Sequence, residues 1–328
     1  MSTPTLPPSV AEVTGPRHRT ERVAVDGGDL VCGVWEPVAG SVDGDGDGSA
    51  PTVLLVHGIT SSHLAWAATA ELLPHVRVIA PDLRGRGRSR DLPGPYGMAR
   101  HADDVAAALR LLGTGGPAVV VGHSMGAFVG VVLAHRHPGL VTSLVLVDGG
   151  LPLTPPAGVS PDQLASATLG PAAARLEQTF ATSQDYRDTW RAHPAFATSW
   201  SELVEAYADY DLVGVEPQLR AATRVEALQG DIRQLVDGDD VLRALEHLPG
   251  PTPWLLAPRG LMDEVPPLYP ADLRGRWEAA YPLLEVVEVG DVNHYSIVLS
   301  RQGAAQVTPW VERAVAGLHG DGNGPSGG

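Results

Sequence analysis

Apolar runs of four to six residues recur along the chain, each closed by turn-forming residues and followed by a stretch with helical spacing. This alternation predicts a mostly parallel sheet covered by helices. The runs read as strands are Val23-Val25, Leu30-Trp35, Val53-Val56, Val76-Ala80, Ala118-Val121, Ser143-Val147, Trp254-Ala257 and Leu284-Val289. The first two form a hairpin around Asp26-Gly27-Gly28-Asp29. Helices are predicted near Leu64-Leu73, Arg100-Leu112, Ala127-Arg136 and Ala304-Ala316.

The pattern changes from about Leu151 to Gly250, where helical segments rich in Ala, Leu and aromatics replace strand-like runs. A helical insertion between the sixth and seventh strands, placed as a lid, accounts for this. Both ends lack periodicity and read as mobile tails. The predicted organisation is a tail over 1–19, an α/β core over 20–150 and 251–316, a helical cap over 151–250, and a tail over 317–328.

Composition narrows the function. With 328 residues and 44% hydrophobic content the chain can bury a large single core. A net charge of -15 with no cluster of cations argues against nucleic acid and anionic membrane partners. All 23 basic residues are Arg, which excludes a Schiff-base lysine and a Walker-type phosphate lysine. Cys32, the single cysteine, permits no internal disulfide and reads as a buried strand residue. The start of the chain lacks an apolar signal core, and no run is long enough to span a bilayer, so a cytoplasmic monomer or homodimer acting on a small molecule is expected. Asp43-Gly44-Asp45-Gly46-Asp47-Gly48 resembles the start of a calcium loop, but its twelfth position is Leu54 where an EF-hand needs a bidentate Glu. It reads as a solvated loop, and no metal site is expected.

The chemistry centres on Gly122-His123-Ser124-Met125-Gly126, which follows an apolar strand and opens a helix. A sharp strand-to-helix turn puts the serine in a strained conformation with its hydroxyl exposed at the sheet edge, and small flanking residues are needed to avoid clashes. A serine hydroxyl needs a base. Among the twelve histidines His294 is favoured, because the loop Asp291-Val292-Asn293-His294-Tyr295 follows the last strand. The base in turn needs a carboxylate. Asp263, in the loop after the seventh strand, gives the order Ser, Asp, His and is preferred; Asp148 after the sixth strand is the main rival, with Glu264 and Asp291 behind it. The oxyanion donors are expected to be the N–H groups of Met125 and of Ile59, the latter bared by the turn at His57-Gly58. His57, His123 and Trp66 are assigned to substrate binding or packing. The aromatic residues Tyr186, Trp190, Phe196, Trp200, Tyr207 and Tyr210 are expected mainly to pack the cap onto the core.

Taken with Asp82-Leu83-Arg84-Gly85-Arg86-Gly87-Arg88-Ser89, these motifs cover residues 21 to 316 in an order that resembles the α/β-hydrolase superfamily, in particular its esterase, lactonase and C–C hydrolase branch with a helical cap. The resemblance implies the α/β-hydrolase fold, an eight-stranded, mostly parallel sheet with helices on both faces, and hydrolysis without a cofactor in a pocket formed by the cap. Serine at the nucleophile position departs from the epoxide hydrolases and dehalogenases of this fold, which carry Asp there. An ester or lactone of a small, mainly apolar molecule is the expected substrate. Cleavage of a vinylogous diketone, acyl transfer or lyase chemistry on the same residues, and a non-catalytic small-molecule receptor are the alternatives left open by the sequence.

Overall fold

The structure, a computed structural model, describes residues 10–40, 50–153, 158, 160, 163, 170, 172–236 and 238–320. The acidic segment Asp43-Gly48 lies outside the described residues.

Eight strands form the central sheet: β1 (His18–Val25), β2 (Gly28–Trp35), β3 (Thr52–Val56), β4 (Arg77–Pro81), β5 (Ala118–His123), β6 (Val141–Val147), β9 (Thr252–Leu256) and β10 (Leu284–Glu288), with β7 (Leu212–Val213) and β8 (Arg220–Ala221) making a separate small hairpin. The order across the sheet is β1-β2-β4-β3-β5-β6-β9-β10. β2 runs antiparallel to both β1 and β4, and the remaining pairs are parallel. Each predicted run falls on one of the eight strands, because strands covered by helices on both faces are apolar throughout: β3, β5 and β9 are buried at every residue.

The helix Met125–Arg136 is buried at every position from Met125 to Ala134. Gly126 makes that approach possible, since a Cβ there would lie 2.0 Å from the carbonyl oxygen of Val56. Near Leu64 the expected single helix is a 3-10 turn, His63–Trp66, followed by one α-turn, Ala67–Glu71.

Between β6 and β9 the chain supplies helices Ser183–Arg191, Glu202–Tyr210, Val225–Ile232 and Asp239–Leu245 together with the β7–β8 hairpin. The hairpin is too short to leave a period in the sequence. A buried polar cluster fastens this segment internally: Arg175 donates to Asp211 at 2.8 Å, Tyr186 also bonds Asp211, and the guanidinium lies 4.6 Å over the ring of Trp190.

Parts of both stretches expected as tails are structured. Val10–Thr14 is helical, the indole of Trp35 donates to the carbonyl of Thr14 at 3.1 Å, and Arg17 donates to the carbonyl of Glu36 at 3.0 Å, so the chain is tied to the core well before residue 19. At the other end the helix Arg301–Gly320 runs past the predicted boundary at 317. No helix among the described residues is long and apolar enough to cross a membrane.

Candidate active site

Strand register builds the site. β5 and β6 pair His123 with Val147, so the next residue of each strand, Ser124 and Asp148, leaves the same sheet edge side by side. Both turn sharply there: Ser124 has φ 52 and Asp148 φ 44, conformations costly for residues with a Cβ and typical of functional turns. The amide of Ser124 donates to the carbonyl of Val147 at 2.9 Å, locking the two turns together. Glycine is required at 122, where a Cβ would lie 2.3 Å from the carbonyl oxygen of Gly126. Met125 opens the following helix, so its N–H has no intrahelical acceptor and the positive end of the helix dipole lies at the serine.

His294 reaches this edge from the loop after β10. Its Nδ1 lies 2.6 Å from Oδ2 of Asp148, and its amide donates to the carbonyl of Arg259 at 3.0 Å. The other oxygen of Asp148 accepts from the amide of Ala257 at 3.1 Å, which fixes the carboxylate in a fully buried position. Nδ1 therefore carries the proton and Nε2 keeps its lone pair.

This geometry corrects the expectation that Asp263 partners His294. Asp263 sits on the outer side of the histidine loop, where its Oδ1 accepts from Arg259 Nε at 2.6 Å and from Asn293 Nδ2 at 3.0 Å. Its side chain is 38% exposed, against 1% for Asp148. The physical reason is reach: Asp148 follows β6 by one residue at the edge beside the serine, whereas Asp263 belongs to a longer loop that folds back onto Arg259. Although partial burial acts to raise it, the bonds from Asn293 and Arg259 hold the Asp263 carboxyl below its ordinary range.

Asn293 orders the same loop. Its Oδ1 accepts from the amides of Tyr295 (3.0 Å) and Ser296 (2.8 Å), and its Nδ2 also donates to the carbonyl of Ala195 in the segment over the sheet edge (2.9 Å).

Two cavities meet at Ser124. One is walled by Phe128, Leu153, Ile232, Leu235, Val236 and Leu268. The other is bordered by Thr60, Ser61, His123, Tyr207, Tyr295 and Leu299. Ile59, Ser124, Leu261 and His294 border both. Asp148 is the one Asp, Glu, Lys or Arg side chain among the described lining residues of either cavity.

Two of the three residues assigned to substrate binding take a different place. His57 is fully buried behind the loop that carries Ile59, its Nδ1 2.7 Å from the carbonyl of Gly58 and its Nε2 accepting from the amide of Leu83 at 2.9 Å. Burial holds its pKa down at about 4, so it is a neutral strut and touches neither cavity. Trp66 is also fully buried, edge-on to His123 at 6.5 Å, and borders neither cavity. Contacts with distant segments, unreadable from sequence, decide this. His123 does border the second cavity.

No individual role for the arginines after β4 is legible in the sequence. Arg84 grips Asp104 through two bonds of 2.8 and 2.9 Å, and Arg86 donates from Nε to the carbonyl of Ile59 at 2.9 Å. Arg86 also lies 2.6 Å from Asp231 of helix Val225–Ile232 in an ion pair that is not aligned as a hydrogen bond. Asp82 accepts from His63 Nδ1 (2.9 Å) and from the hydroxyl of Tyr210 (2.7 Å). Burial alone would raise the Asp82 carboxyl, but the neighbouring His63 outweighs it and holds the group far below its ordinary range. The motif thus fixes the loop that carries Ile59 and joins it to the segment above. Its one Asp and three Arg directly after an apolar run were the available signal, since buried charge demands paired partners.

Known proteins resemble this chain at both levels. A family described as having the alpha/beta hydrolase fold matches residues 51–206. Lipase LipV of Mycobacterium tuberculosis (strain ATCC 25618 / H37Rv) is 33% identical over 217 residues, which is 59% of this chain and 79% of that protein. The 2-(acetamidomethylene)succinate hydrolase of Mesorhizobium japonicum is 39% identical over 102 residues, 31% of this chain and 36% of that protein. Among solved structures, an E-2-(acetamidomethylene)succinate hydrolase superposes with TM-score 0.67 and 23% identity over 92% of this chain and 98% of its own. A thioesterase domain from the curacin biosynthetic pathway superposes with TM-score 0.67 and 20% identity, over 90% of this chain and 99% of its own, so these two likenesses concern the fold. With the sheet order, the strained serine turn and a relative covered over most of its length, the chain belongs to the α/β-hydrolase family.

Proposed function

We propose that this protein is a serine hydrolase that cleaves an uncharged carboxylic ester or lactone through an acyl-enzyme on Ser124. The observation that carries the reading is the Asp148–His294 bond at the sheet edge where Ser124 turns with φ 52. In this reading His294 Nε2 takes the proton of Ser124 as its oxygen attacks the carbonyl carbon. The N–H groups of Ile59 and Met125 hold the oxyanion, and Asp148 keeps the imidazole in the required tautomer and stabilises its cation. His294 then protonates the leaving alcohol, and a water repeats the cycle to release the acid.

The substrate class follows from the lining. Apolar walls and, among the described lining residues, a single Asp, Glu, Lys or Arg side chain that is already paired with His294 favour a neutral molecule with apolar parts and disfavour a carboxylate-bearing one. A relative named a lipase is consistent with ester chemistry.

The test is covalent labelling by a fluorophosphonate, mapped by peptide mass, alongside turnover of chromogenic short-chain esters. Label is expected on Ser124, and Ser124→Ala should abolish label and turnover with an unchanged melting temperature. Label elsewhere, or turnover retained by the alanine variant, overturns the proposal.

A further inference from the structure

The two residues that flank His294 in the chain are both fastened to the segment above the sheet edge. On one side the ring of Tyr295 lies 6.0 Å from that of Trp190, 5.4 Å from His193 and 5.5 Å from Phe196, residues of the helix Ser183–Arg191, the turn Pro194–Phe196 and the link between them. On the other side Asn293 donates to the carbonyl of Ala195 in that turn at 2.9 Å. From the core, His294 is held by the carbonyl of Arg259 on its amide, by Nε2 of His123 2.8 Å from its carbonyl, and by Asp148 on its ring.

Asn293 joins these two sets of contacts. It is 3% exposed, and its side chain uses both lone pairs and both hydrogens: Oδ1 accepts from the amides of Tyr295 and Ser296, while Nδ2 donates to the carbonyl of Ala195 and, at 3.0 Å, to Oδ1 of Asp263. Turned over, the amide would set Nδ2 against two N–H groups and Oδ1 against a carbonyl and a carboxylate, so the network fixes its orientation. A buried carboxamide with every bond in use loses free energy when one partner moves away. Movement of the turn is therefore felt in the amides that Asn293 shapes, next to the imidazole. Asp263, held at φ 61, braces this carboxamide.

Resting on the serine-hydrolase reading, we propose that Asn293 is a positioning residue that makes the placement of His294 depend on the seating of Pro194–Phe196 over the sheet edge. With the turn seated, Nδ2 is satisfied and the backbone around His294 is held from above and from the core. With the turn lifted, Nδ2 loses the Ala195 carbonyl, the loop keeps only its core contacts, and the imidazole drifts from Ser124. Proton transfer from the serine falls steeply with such misplacement. Asn293 itself exchanges no proton with the substrate.

Hydrolysis of p-nitrophenyl butyrate by four variants tests this, at temperatures where circular dichroism shows each protein folded. Asn293→Asp keeps the oxygen that accepts from Tyr295 and Ser296 but replaces the donor with an oxygen facing the Ala195 carbonyl and the Asp263 carboxylate, where Arg259 is already shared between Asp263 and Asp291. At about pH 8 its kcat should fall about tenfold or more. Burial and the neighbouring carboxylate hold the introduced carboxyl above its ordinary range, so at about pH 5.5 it regains a proton to donate, and the ratio of variant to parent kcat should rise about threefold or more. Asn293→Ala has nothing to titrate there and should lose kcat with a flat ratio. Phe196→Ala loosens the turn and borders neither cavity, so it should lower kcat about tenfold. Combined with Asn293→Asp it should cost less than about twofold more, since both act through one seat. A kcat for Asn293→Asp within twofold of the parent at pH 8, the same ratio profile for both Asn293 variants, or losses that multiply in the combined variant overturns the proposal. Should neither Asn293 variant fold, a kcat for Phe196→Ala within twofold of the parent overturns it alone. A parent protein that takes no fluorophosphonate label at Ser124 overturns the serine-hydrolase reading and this inference with it, which distinguishes the two failures.

Discussion

Nδ1 of His294 and Oδ2 of Asp148 lie 2.6 Å apart across 146 positions of sequence. Neighbouring strand ends produce this contact: Asp148 is delivered by β6, the strand next to the one that delivers Ser124. Asp148 is buried and accepts from both His294 and the amide of Ala257, so neither oxygen is free to wander.

Asp148→Asn should preserve the fold and reduce kcat on a short-chain ester by a factor on the order of 10⁴, the loss seen when the orienting carboxylate becomes an amide and the wrong tautomer is held. Asp263→Asn should stay within about tenfold of the parent, because Asp263 meets Arg259 and Asn293 and not the imidazole. Steady-state kinetics on the two variants decides between them; the reverse ranking would restore Asp263 as the acid.

Arg86 couples the Ile59 loop to the segment above it through the carbonyl of Ile59 and through Asp231. Arg86→Ala leaves Asp231 buried with one fewer cation, a change that costs about 3–5 kcal/mol when an ion pair is broken from one side. Urea unfolding should show that loss, with a fall in kcat as the Ile59 loop loosens. Arg86→Met combined with Asp231→Leu should recover part of the stability while kcat stays low. Recovery of both would show that the pair acts on stability alone.

Acid should weaken the fold through His57. Its pKa lies near 6.5 when unfolded and at about 4 in the buried, neutral state that accepts from the amide of Leu83. Between those values the unfolded chain binds the proton and the folded chain resists it. This contribution is therefore fully present above pH 6.5 and is lost as the pH falls through 4, by at most roughly 3 kcal/mol. His18, also held at about 4 by burial, adds in the same direction. Urea midpoints measured from pH 7 to pH 4 should fall for the parent and fall less for His57→Gln, which keeps an acceptor that does not titrate. Parallel curves would assign the acid sensitivity to other groups.

Ile232, half-buried at the end of a helix in the segment above the sheet, borders the more apolar cavity. Ile232→Ala should shift the preferred ester toward longer or bulkier groups by a few fold in kcat/KM per added methylene, and Ile232→Trp should shift it toward acetyl esters. A homologous series of p-nitrophenyl esters reads both. An unchanged profile in the two variants would place the substrate in the Tyr207 and Tyr295 cavity.

Much was legible because it is local. The inner strands such as β3, β5 and β9 appear as apolar runs because both sheet faces are covered there, whereas β1 and β10 at the sheet edges bury one residue each. The Ser124 turn appears as a pentapeptide because Gly122 and Gly126 are forced by contacts of their own backbone with neighbouring backbone, at 2.3 and 2.0 Å for a notional Cβ. The sequence by itself therefore determined the sheet, the serine turn and the candidacy of His294. Tertiary structure decided which carboxylate His294 meets, since Asp148 and Asp263 both follow strands and only the pairing of His123 with Val147 puts one of them beside the serine. It also decided that His57 and Trp66 lie behind the site while Tyr207 and Tyr295 border it. Those outcomes depend on which side chains converge from distant segments, and no local spacing in a chain encodes a distance between its loops.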